Sequence, residues 1–260
     1  MDARLHILKE TFEQCFDDGR FFRFATEFFG GLKTISPDRD IINIPKEYQY
    51  TVESYRHLAS YATGGDTIDI FTVRLQSGKG RTVERARSMQ RSFVSKLLSN
   101  TNHDGAIVAF YTDDDPRWRL SFIRLDYEFA EGRVKMSLTP ARRYSYLVGE
   151  NEPYHTAMEQ LYPIFRDESF NPTIDRIEEA FSVERVTKDF FERYKEKYFV
   201  LKQHLDASEV FNEEAVRCSF TSEQFAKKLM GQLAFLYFLQ KKGWLGIRVL
   251  PHKLTEKQYK

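Results

Sequence analysis

The chain has 260 residues, enough for one large domain or two modest ones, and its 39 Lys+Arg against 38 Asp+Glu leave a formal net charge of +1. That balance excludes a globally basic nucleic-acid binder while leaving room for segregated patches. Aromatic residues reach 15%, with Phe 23 and Tyr 14, and so rich a set excludes disorder for most of the chain.

The first forty residues read as helix, with Leu5, Leu8, Phe12 and Phe16 and then Phe21, Phe24 and Phe28 at helical spacing, ended by Gly30-Gly31. No apolar signal-peptide core lies there. The segment SPDRDIINIPKEY reads as a loop. Two strands, RHLASYAT and IDIFTVRLQ, flank a Gly64-Gly65-Asp66 hairpin turn. TVERARSMQRSFVSKLL follows as a helix, with Thr82 or Arg81 near its start. AIVAFY is a continuous apolar run, the pattern of a strand buried on both faces. RWRLSFIRLDYEF and RVKMSLT form a second hairpin around Ala130-Glu131-Gly132. From Pro153 the pattern turns helical: YHTAMEQLYPIF, PTIDRIEEAF, TKDFFERYKEKYFVLKQHL with Thr187 as cap, and TSEQFAKKLMGQLAFLYFLQKKG capped by Thr221 or Ser222 and stopped at Gly243.

This order predicts an α+β fold, with a mixed sheet of about five strands and flanking helices, followed by an all-α segment. The expected division is an α/β domain over 1–150, a helical connector over 151–246 and a polar tail over 247–260. Cys15 and Cys218 lie far apart, so neither a disulfide framework nor a cysteine-based zinc cluster is expected. The longest apolar run, Leu233–Leu239, is shorter than the roughly 20 residues that span a bilayer. A cytoplasmic chain without a membrane segment is the expectation. The helix from Leu229 to Leu239 is apolar nearly all round, which requires burial in its own domain or against a partner.

Three features carry candidate chemistry. On the helix over 82–98, Gln90 falls inside the apolar stripe of Val83, Ala86, Phe93, Val94 and Leu97. Its amide is either satisfied by backbone or aimed into a site on the sheet. Asp69 heads an apolar strand face with Phe71, Val73 and Leu75. It reads either as a metal ligand at a sheet end or as a hairpin residue pairing with a backbone amide. Basic residues at 74, 79, 81, 85, 87, 91 and 96 face the single acid Glu84, and four more bases without an acid lie between Arg133 and Arg143. Such segments either track a phosphate backbone, with Arg74, Arg87 and Arg91 as the contacts to test, or form a solvated face. No nucleophile-elbow, phosphate-loop or HExxH signature occurs.

IDIFTVRL, TVERARSMQRSFVSKLL, AIVAFYTDDDPRWRLSFIRLDYEF, LTPARRYSYLVGENEPYHTA, EEAFSVERVTKDFFERY and FAKKLMGQLAFLYFLQKKGWLG together resemble the N-terminal region of bacterial type IIS/IIG restriction–modification enzymes. Those polypeptides fuse an endonuclease region to an adenine-specific DNA methyltransferase. The resemblance implies phage defence, double-stranded DNA as partner, and an N-terminal half, split or truncated, that docks a methyltransferase half. It implies no S-adenosylmethionine site and no methylation here, because neither the glycine-rich loop nor the catalytic Asn/Asp-Pro-Pro-Tyr motif is present. It also implies a nuclease core of the PD-(D/E)XK class holding magnesium, with Asp69 as first acid and Gln90 as the helix glutamine. The acid-x-Lys pair then falls on Thr72-Val73-Arg74, which lacks the carboxylate. Either the core is degenerate or the acids lie in another register. A non-catalytic DNA-scaffold or protein-interaction subunit of a defence system is the alternative.

Overall fold

The computed structural model describes residues 3–35, 40–78, 83, 87–130, 133–138, 144–167, 171–241 and 244–245. The chain divides into two compact units, Met1–Val183 and Glu184–Lys260. The fold is α+β.

The first unit is built on a mixed sheet. Its strands are β1 (Lys33–Thr34), β2 (Val52–Thr63), β3 (Asp66–Leu75), β4 (Gly105–Tyr111), β5 (Arg117–Ala130), β6 (Arg133–Leu138) and β7 (Ser145–Gly149), in spatial order β1-β2-β3-β4-β5-β6, with β7 also paired to β5. The expected sheet of about five strands is thus extended by two short ones, β1 and β7. Strands β2 and β3 form the predicted hairpin around Gly64 and Gly65, both at positive φ. A single parallel pair, β3 with β4, is joined by the crossover helix α3 (Arg87–Thr101). The Arg81 and Thr82 cap candidates lie outside the described residues.

Side-chain alternation sorts the sheet into two cores. On one face, Ile68, Ile70, Ile107, Ala109, Trp118, Leu120 and Phe122 pack against α1 (Ala3–Glu13), α2 (Asp18–Phe28), α4 (His155–Phe165) and α5 (Ile174–Phe181). On the other, Phe71, Val73, Leu75, Val108, Phe110 and Ile123 pack against Phe93, Val94 and Leu98 of α3. Strand β4 feeds both cores, so its continuous apolar run is buried on both faces as read. Much of the aromatic content goes into the first core. Phe24 lies 5.4–5.6 Å from the rings of Phe12, Phe28 and Phe165, and Trp118 meets Phe12, Phe16 and Phe21 at 5.6–6.1 Å. Each such pair contributes about 0.5–1.5 kcal/mol beyond the area it buries.

The first unit runs past the boundary expected at residue 150. Helices α4 and α5 belong to the sheet domain because their apolar stripes close its first core: Leu161, Ile164 and Phe165 from α4, Ile174, Ile177 and Phe181 from α5. Polar ties add to this. Arg124 of β5 donates to Asp175 and Glu178 of α5 at 2.6 Å each, and the Tyr144 hydroxyl donates to Glu178 at 2.7 Å.

The second unit is helical: most of α6 (Val183–Asp206), α7 (Glu209–Arg217) and α8 (Ser222–Lys241). Helix α6 starts four residues before Thr187, which therefore lies inside the helix and does not cap it. Thr221 caps α8 in a reciprocal box: its Oγ1 accepts from the Gln224 amide at 3.2 Å, and Gln224 Oε1 accepts from the Thr221 amide at 3.0 Å. Gly243 and the tail over 247–260 lie outside the described residues. No helix among the described residues is long and apolar enough to cross a membrane.

Candidate nucleic-acid interface

Two of the three predicted arginines meet. Arg87 and Arg91 are four residues apart on α3, hence on one helix face, and Gln90 lies between them. With Phe110, Arg119, Ser121 and Ser145 they line a small, partly enclosed pocket of about 10 Å³ on the α3 face of the sheet. Gln90 is 2% exposed and its Nε2 donates to the Val83 carbonyl at 3.1 Å. Its amide is thus tied to backbone, the first of the two readings.

The third guanidinium at the pocket is Arg119. It sits on β5 between Trp118 and Leu120, whose side chains enter the opposite core, so alternation turns Arg119 toward α3. At 4% exposure its Nε donates to Val83 O at 3.2 Å and its Nη1 to Ser145 Oγ at 2.9 Å. The sequence reading missed it, although the alternation of RWRLSFI carries the signal.

The first turn of α3 carries no acidic residue, and Arg87 and Arg91 fall in its first two turns.

Arg74 is elsewhere. Alternation along β3 puts it on the face opposite Asp69, where it is paired with Asp113 and lies 3.6 Å from Glu53. Lys96 is likewise paired, to Glu47 at 2.5 Å. Arg74 belongs to a charged cluster at the carboxyl ends of β3 and β4, which the sequence reading did not anticipate. There Arg56 bridges Asp40 and, at 3.3 Å, Asp18. Burial, reinforced by Asp40, raises the Asp18 carboxyl, and burial beside these two carboxylates pushes Tyr111 up to about 12.

Asp69 lies at the other end of α3. It is fully buried, and its oxygens accept from three side chains: His57 Nε2 at 2.9 Å and Ser60 Oγ at 2.5 Å on Oδ1, and His103 Nδ1 at 2.8 Å on Oδ2. Burial alone would raise this carboxyl, but the donors from His57, Ser60 and His103 outweigh it and hold the group below its ordinary value.

These residues do not fit the magnesium ion that the resemblance implies. Magnesium takes hard oxygen ligands in octahedral array, whereas Asp69 is a lone carboxylate among two imidazoles and a hydroxyl that occupy its oxygens. Among the described residues no group of three or more His, Cys, Asp or Glu is placed to hold a metal ion. Asp69 and Gln90 are also not brought together: Gln90 to Thr101, the last residue of α3 before the His103 turn, is roughly 16 Å at 1.5 Å per residue.

Comparison of the chain with protein-family models, with curated proteins and with solved structures found no match.

Proposed function

We propose that this chain is a DNA-binding module of a type IIS/IIG restriction–modification system, working beside a methyltransferase half and gripping duplex DNA by its phosphate backbone. The observation that supports the DNA-binding part is the placement of Arg87 and Arg91 on one face of α3, beside a small pocket that both line. The resemblance supplies the system. Contacts of this kind position a protein on DNA without reading bases.

Cleavage is not part of the proposal. Asp69 is spent on His57, Ser60 and His103, and Thr72 and Arg74 face the other side of the sheet. That disagreement favours the non-catalytic form of the reading, a subunit that holds DNA for a partner.

The test is an anisotropy titration of a labelled duplex with two neutralised variants. Arg91→Gln is expected to weaken binding about fivefold at 0.15 M salt, the mass-action value of one released counterion. Arg74→Gln, on the opposite face of the sheet, is expected to leave affinity unchanged. Equal losses in the two variants, or none in Arg91→Gln, would overturn the assignment.

A further inference from the structure

We draw no further inference here: the strongest candidate, the side-chain cluster of His57, Ser60, Asp69 and His103 near the amino ends of β3 and β4, is held by hydrogen bonds among its own members, and nothing in the structure shows a ligand or substrate that it would take.

Discussion

Replacing Asp69 by asparagine keeps the shape of the side chain and changes only its hydrogen-bonding. The carboxylate accepts from His57, Ser60 and His103. The amide keeps one acceptor oxygen and turns an N–H pair toward at least one of those donors. A hydrogen bond to a buried charged group contributes about 1.5–3 kcal/mol, and a buried donor left without an acceptor costs about 1–3 more. We therefore expect Asp69→Asn to cost about 3 kcal/mol. For a unit the size of Met1–Val183, about 2–4 °C of melting temperature is lost per kcal/mol, giving a drop of about 6–12 °C. Near-UV circular dichroism during heating at neutral pH reads it. An unchanged melting temperature would refute the cage around Asp69. DNA affinity measured well below the transition should not move, since the pocket lies at the other end of α3.

The same group predicts a pH dependence: its folded value is depressed, so its stabilisation is present above the unfolded value of about 3.9 and lost as pH falls through the lower folded value. The gap in melting temperature between wild type and Asp69→Asn should therefore be full at neutral pH and close in acid; a gap that widens in acid contradicts the sign. Gly149→Ala should destabilise by about 1–3 kcal/mol in chemical denaturation, because φ is +114° and the added Cβ would lie 2.5 Å from the Pro116 carbonyl oxygen. Thr221→Ala should cost about 1 kcal/mol through loss of the α8 capping box, seen as faster amide exchange in that helix's first turn.

Alternation and helical spacing made much of the sheet domain legible. The parity of IDIFTVRL places Asp69 with Phe71 and Val73, and all three lie on the α3 face. Period alone does not say what stands opposite. The donors to Asp69 come from 9, 12 and 34 residues away, joined by hairpin register and by the turn after α3. Helices α4 and α5 were assigned to a connector for a related reason: periodicity reveals an apolar stripe but not the surface that receives it. Strand β7 has only five residues and ends at Gly149, too short to show alternation. In the basic segment, charge counting treats Arg74, Arg87 and Arg91 alike. Separating them requires the fold, which sets Arg74 beside Glu53 and Asp113 on one face of the sheet and Arg87 and Arg91 at a pocket on the other.

The salt dependence of duplex binding tests the central claim most directly. If Arg87 and Arg91 each neutralise one phosphate, log affinity falls with log salt at a slope of about −1.8, or about 12-fold between 50 and 200 mM. The double variant Arg87→Ala/Arg91→Ala should lose that dependence. Identical slopes for wild type and the double variant, or wild-type affinity that does not respond to salt, would contradict the account.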